Sequence, residues 1–328
     1  LIVRTFKQAM KGMKSAGKAS TLRTEQDIPM PVLLIAMVVI AVAIWLLPAF
    51  PVNLLGAVIV VVFGFFFATV SSRMVGLIGS SNNPVSGMAI ATIIITTILL
   101  KATGTVGTTG MTGAICIGGI ICVIAAIAGD CSQDLKTGYL LGATPVKQQI
   151  GELIGVIAAG LAIGGVLYLL DSAWGYGGAE VPAPQATLMK MIVEGIMGGN
   201  LPWNLVFTGV FLAIALEVLR IPVMPFAIGL YLPIYLNTSI MIGGVVRWFM
   251  DSRKNVDAKL KEEQTTRGTL FCAGMIAGEG LVGILLAVFA VFGISTALSI
   301  DLGNIGGVVL MIVMIACLLA FSMKKKKN

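Results

Sequence analysis

The sequence predicts an all-α, polytopic transmembrane helix bundle, and three observations predict it. Of 328 residues, 57% are hydrophobic and only 11% charged, and the mean hydropathy is +1.00. That leaves too little polar surface for a water-soluble fold. The apolar residues lie in successive blocks of roughly 18 to 25, the length at which an α-helix crosses a ~30 Å hydrocarbon core. Stretches such as Val32 to Leu47 and Ile305 to Leu319 are apolar on every face, whereas a barrel strand alternates apolar and polar residues over ~10 positions.

Basic residues order the crossings. Eighteen of the 22 Lys and Arg fall in four segments, residues 1–29, 130–149, 247–268 and Lys324 to Lys327, and the positive-inside rule places all four in the cytoplasm. An even number of spans must then separate any two of them. Four spans are read between the first and second: Met30 to Ala49, Val52 to Val70, Ser86 to Thr103 and Val106 to Ala128. Between the second and third lie Ile150 to Leu170, Leu201 to Leu219 and an interrupted block from Pro222 to Val246. Three full crossings would put Arg247 outside, so the interrupted block is expected to re-enter and turn near Leu232 to Asn237. Pro233 removes a backbone donor there, and Asn237 brings a polar side chain to membrane depth. Thr269 to Phe292 and Ile305 to Phe321 complete the bundle.

The expectation is eight crossings plus one re-entrant hairpin, with both ends cytoplasmic. Residues 1–29 form a basic connecting segment on the membrane surface, 30–323 the transmembrane body and 324–328 a basic tail. The chain begins at Leu1 and shows no signal peptide, and it is expected to be the second half of a longer protein. Its net charge of +7 is accounted for by anionic membrane lipids, without nucleic acid.

There is no histidine, which excludes HExxH metalloprotease, Ser-His-Asp hydrolase and His-ligated metal or haem chemistry. Any proton handled within the membrane then rides on a carboxylate. The five cysteines, Cys116, Cys122, Cys131, Cys272 and Cys317, have no paired spacing and read as small packing residues.

Two segments carry candidate chemistry. Ser71 to Met88 is rich in Gly, Ser, Asn and Pro and is not expected to persist as a lipid-facing helix, because unpaired peptide groups in hydrocarbon cost several kcal/mol each. In transporters such breaks line a cavity, which makes Asn82, Asn83 and Ser86 substrate-contact candidates, with Asn237 at the second break. An ordinary turn in which Asn83 or Ser86 caps the next helix stays open.

The other segment is Cys272 to Gly283. Gly274 and Gly278 stand at GxxxG spacing there, and Glu279 lies ten residues past Thr269, ~15 Å along a helix and near the bilayer midplane. An ionised carboxylate at that depth costs roughly 2.5 kcal/mol or more. Proton coupling and a structural hydrogen bond to a neighbouring helix are both open for it.

Other features read as structural. Asp130 and Asp134 could pair on a cation or sit in a solvated loop. Leu188, Met189, Ile192, Val193 and Ile196 make a helical stripe with Lys190 and Glu194 four apart, read as a short external amphipathic helix.

Five motifs in order carry a resemblance. They are Gly-Leu-Ile-Gly-Ser-Ser-Asn-Asn-Pro-Val-Ser-Gly-Met (76–88), Gly-Asp-Cys-Ser-Gln-Asp-Leu-Lys-Thr-Gly (129–138), Gly-Ala-Thr-Pro-Val-Lys-Gln-Gln (142–149), Val-Pro-Ala-Pro-Gln-Ala-Thr-Leu-Met (181–189) and Ala-Gly-Glu-Gly-Leu (277–281). Together they resemble the C-terminal half of the oligopeptide transporter family, in its bacterial branch related to the yellow stripe-like transporters. The resemblance spans about Arg23 to Phe292. It implies a secondary transporter in a bacterial inner or plasma membrane, importing short peptides or metal chelates with protons. It implies neither enzyme activity nor a cofactor. An N-terminal half of the same transporter is the expected partner, since a transporter of two related halves holds substrate between them.

Two other classes compete. A channel or structural subunit would show a short filter repeated around an oligomer axis. An intramembrane enzyme needs a nucleophile with a base or a carboxylate dyad, and Glu279 has no second carboxylate at matching depth.

Overall fold

The computed structural model describes residues 22–80, 83–178, 180–253, 256–294 and 303–323. Among them are eleven α-helices and no strand, and seven helices are long and apolar enough to cross a membrane. The chain divides into two compact units, Leu1–Ala162 with Ala183–Val206, and Ile163–Pro182 with Phe207–Asn328.

Local chemistry explains the helix boundaries of the first unit. α1 (Met30–Leu46) starts behind Pro29 and carries Pro31 in its first turn, where a missing N–H is harmless. Asn53 caps α2 (Leu54–Ile78), its Oδ1 accepting from the Gly56 amide at 2.9 Å. α2 stops at Gly79, whose φ of +81° favours glycine. α3 (Val85–Ala102) follows Pro84 directly, with no side-chain cap, so neither Asn83 nor Ser86 caps it. α4 (Gly107–Leu141) runs on past Ala128, because Gly129 to Leu141, though polar, is compatible with helix, and it ends on left-handed Gly142.

α4 is the hub of this unit. α2 and α3 pack along it, α1 packs on α2, and α6 (Pro184–Gly198) lies against both α3 and α4. One core joins Ile44, Val52, Ile59 and Val60 to Ile117 and Ile121 of α4, with Cys116 packed against it. A second joins Ile93, Leu100 and Ala114 to Val193 of α6. The amphipathic helix expected at Leu188 to Ile196 is therefore real, and its apolar stripe covers protein. Its exposed side carries the Lys190–Glu194 pair at 3.8 Å.

The segment ahead of α1 meets the turn between α4 and α5 (Pro145–Trp174). Arg23 donates to the Gly142 carbonyl at 2.9 Å, and the Val146 amide to the Gln26 carbonyl at 3.0 Å. Four helices separate these contacting segments, an even number, as the basic-residue pattern requires.

The second unit contains two of the seven long apolar helices, α10 (Ala258–Val291) and α11 (Gly303–Met323). They pack through Phe271 and Phe321, ring centroids 5.2 Å apart. The expected span Leu201 to Leu219 is the 16-residue apolar helix α7 (Trp203–Val218), ~24 Å long and a few residues shorter than expected. The block expected to re-enter is two helices, α8 (Val223–Tyr231) and α9 (Ile234–Asp251), interrupted at Leu232-Pro233.

Adjacent glycines on α4 offer a test of its packing. A Cβ on Gly118 would lie 2.2 Å from Ile93 Cγ1, while one on Gly119 would meet nothing within 4 Å. Ile93 is 1% exposed and cannot move aside. Gly118→Ala should destabilise the protein by about 1–3 kcal/mol and lower its thermal midpoint in detergent. Gly119→Ala should leave the midpoint unchanged or raise it slightly, alanine being the better helix former.

Candidate functional site

The break between α2 and α3 is narrower than its composition suggests. Ser71 to Ile78 remains helical, and the chain leaves helix only at Gly79, resuming at Val85. Ser71 and Ser72 are accommodated because their hydroxyls donate to backbone carbonyls of α4. Ser71 Oγ, fully buried, donates to Ala125 O, and Ser72 Oγ to Ala128 O at 3.1 Å. The break itself is pinned to the same helix. The Ser80 amide donates to Gln133 Oε1 at 2.9 Å, and the Ser80 hydroxyl donates to the Asp130 carboxylate.

Asn83 turns inward from this break. Its Nδ2 donates to Ser71 Oγ at 2.6 Å. It fits because α4 has glycine opposite: a Cβ at Gly129 would lie 2.9 Å from Asn83 Nδ2 and 3.1 Å from Ser71 Oγ. The other amide atom, Asn83 Oδ1, is buried without a hydrogen-bond partner among the described residues. A buried acceptor left unpaired costs about 1–3 kcal/mol. Ser86 is exposed in the first turn of α3, and Asn82 lies outside the described residues.

Beside the break, the end of α4 packs against the start of α5. Gln148 lies over Gly138, within 2.0 Å of where a Cβ would stand, and donates to Asp134 O at 3.1 Å. Cys131 sits against Glu152 and in the field of Asp134 and Asp130. Glu152 Oε1 is a further buried oxygen without a hydrogen-bond partner among the described residues. Asp130 and Asp134 are exposed, and no group of three or more His, Cys, Asp or Glu among the described residues could hold a metal ion. The cation reading of the two aspartates therefore has no supporting geometry.

Ser71 and Glu152 were not among the residues singled out by sequence. A serine pair inside an apolar helix is the signal that could have marked Ser71. Only the α4–α5 contact marks Glu152.

The second unit holds the remaining candidates. Asn237 Nδ2 donates to Gly229 O at 2.9 Å and Leu232 O at 3.0 Å. Its amide thus satisfies carbonyls that the break before Pro233 leaves open. Glu279 lies on α10, exposed and without an ion pair among the described residues. Gly274, Gly278, Gly280 and Gly283 flank it, and a Cβ at any of them would meet nothing within 4 Å. The GxxxG pair is therefore not the seam with α11. That seam uses Gly268, where a Cβ would come 2.6 Å from Ser322 Oγ.

Residues 1–290 match the family model for the OPT oligopeptide transporter protein. The chain belongs to that family. Within it, a Haemophilus influenzae protein named for oligopeptide transport is 35% identical over 283 residues, covering 74% of this chain and 44% of the relative. An Oryza sativa protein named for metal-nicotianamine transport, YSL10, is 28% identical over 54% of this chain and 28% of its own length. A Saccharomyces cerevisiae protein named for oligopeptide transport is 27% identical over 52% of this chain and 26% of its own. The chain thus spans less than half the length of these relatives. No solved structure matches it.

In this OPT family chain, Ser71 joins the break to the hub helix. Ser71→Ala should leave both the Ala125 carbonyl and the Asn83 amide without that hydroxyl, at a cost of about 1–3 kcal/mol. A lowered thermal midpoint, together with faster amide exchange at residues 79–84, is the expected outcome. An unchanged exchange rate there would show that Ser71 does not hold the break.

Proposed function

We propose that this chain is the C-terminal half of a secondary active transporter that imports oligopeptides or peptide-like metal chelates by proton symport. The observation that carries the proposal is Glu279. It is an exposed carboxylate on α10 with no ion pair among the described residues, ~15 Å along the helix from Thr269. A charge at that depth must be protonated, paired or facing water. A carboxylate that alternates between these states carries a proton, and in a chain without histidine the role falls to such a group.

Asn83, with its unpartnered oxygen, is the solute contact best supported by geometry. Amide oxygens accept from the N–H groups of peptides and of peptide-like chelators alike, which fits relatives named for either cargo. Ser86 and Asn82 extend the same break. Asn237 belongs to the proposal as the residue that stabilises the second break. The other half of the transporter completes the substrate site, both ends face the cytoplasm of a bacterial cell, and the α8–α9 break turns the chain back to the side it entered from.

Uptake of labelled di- to hexapeptides and of iron-nicotianamine by vesicles containing the full-length transporter tests the proposal. An inward proton gradient should drive accumulation of one of the two. Glu279→Gln should reduce that uptake to its gradient-free rate while leaving solute counterflow intact. Gradient-driven uptake unaffected by Glu279→Gln would exclude Glu279 as the proton carrier, and accumulation of neither cargo would exclude proton symport of these solutes.

A further inference from the structure

We propose that the end of α3 and the last turn of α6 form a seat for one anionic phospholipid, with Lys101 at the phosphate. A cavity of about 440 Å3 opens there, within the first unit, lined by Ile98, Lys101, Ala102, Gly195, Gly199 and Trp203. Apart from Lys101 no lining residue is charged. Gly199, in the left-handed region at φ +74°, ends α6 and donates its N–H to Ile196 O at 3.3 Å. Lys101 Nζ donates to the same carbonyl at 2.7 Å. An ammonium has three N–H donors, and no carboxylate pairs with Lys101 among the described residues. The side chain is exposed and can serve a ligand while it holds α6.

Depth selects the ligand class. α3 has 18 residues and is ~27 Å long, so Lys101 in its last turn stands at headgroup level on one membrane face. Ile98 lies about one turn deeper, at the level of acyl chains. Trp203, 46% exposed, is a residue type that settles at this interface. The carbonyl ends of α3 and α6 offset part of the ammonium charge, so a free anion gains little here. A phospholipid adds acyl contact with Ile98, Ala102 and Trp203. A zwitterionic headgroup brings its own cation beside Lys101, and an anionic one does not.

The test is native mass spectrometry of the full-length protein with phosphatidylglycerol or phosphatidylcholine. Phosphatidylglycerol should be retained preferentially, and its retention should be about tenfold weaker in Lys101→Gln, which removes one charge-assisted hydrogen bond. Lys190→Gln, on the exposed face of α6, should retain it as the parent does. Ala102→Phe fills the cavity and leaves Lys101 bonded to α6, so lipid should be lost there even if Lys101→Gln folds poorly. Equal retention of the two lipids, or retention in Ala102→Phe equal to that of the parent, would overturn the proposal. Displacement of the lipid by millimolar glycerophosphate would assign the seat to a soluble anion and overturn it equally.

Discussion

Close backbone approach along α4 is the constraint on which the first unit depends. Five of its glycines have a neighbour where a side chain would stand: the Thr105 carbonyl at Gly110, the Pro51 carbonyl at Gly113, Ile93 at Gly118, Asn83 and Ser71 at Gly129, and Gln148 at Gly138. In hydrocarbon there is no hydrophobic drive between helices, and association rests on tight van der Waals contact and interhelical hydrogen bonds. The glycines supply the first and so permit the second. Ser71 and Ser72 reach the carbonyls of Ala125 and Ala128 only because α2 lies this close. The position of Asn83 is a consequence of the same approach.

Buried polar atoms in the bundle are satisfied in different ways. Thr92 and Thr97 donate to carbonyls one turn back in their own helix, the usual solution for a hydroxyl in an apolar setting. Other buried oxygens lack partners among the described residues, Thr96 Oγ1, Ser322 Oγ, Asn83 Oδ1 and Glu152 Oε1 among them. Thr96 and Ser322 are fully buried, so no solute reaches them without unpacking the bundle. Asn83 and Glu152 are only partly buried residues. A buried, unsatisfied oxygen on a side chain that still touches solvent can be satisfied by a visitor, and this difference sets Asn83 and Glu152 apart from Thr96 and Ser322.

Much of the fold was legible because the membrane imposes one length on every crossing. The spans from Met30 to Thr103 fall on α1, α2 and α3, and Pro233 marked the later break. The differences have physical causes. Ser71 to Ile78 reads as a break because serine and glycine weaken an isolated helix, but the serines bond across to α4. α4 and α10, at 35 and 34 residues, outrun the apolar blocks that predict them, because hydropathy reports where lipid ends and not where a helix does. The glycine contacts of α4 join residues as far apart as Gly113 and Pro51, a relation that no local pattern carries. Asn83 was legible as a candidate, whereas its bond to Ser71 was not.

Glu279 presents the opposite case to Asn83, since its significance was legible and its surroundings were not. The GxxxG spacing beside it suggested a helix already in contact, yet the glycines flanking it are open. Removing side chains at positions that pack against nothing in the described chain gains no stability, and glycine weakens the helix by about 0.5–1 kcal/mol per residue relative to alanine. Four such residues around one carboxylate are therefore costly unless something approaches the backbone there. Close approach would also exclude lipid from the carboxylate, replacing hydrocarbon with polar partners or water and lowering the cost of its charged form. The open glycines and the carboxylate on one stretch of α10 thus bear on one requirement: a carboxylate on an apolar helix needs room beside it for whatever offsets the cost of its charge.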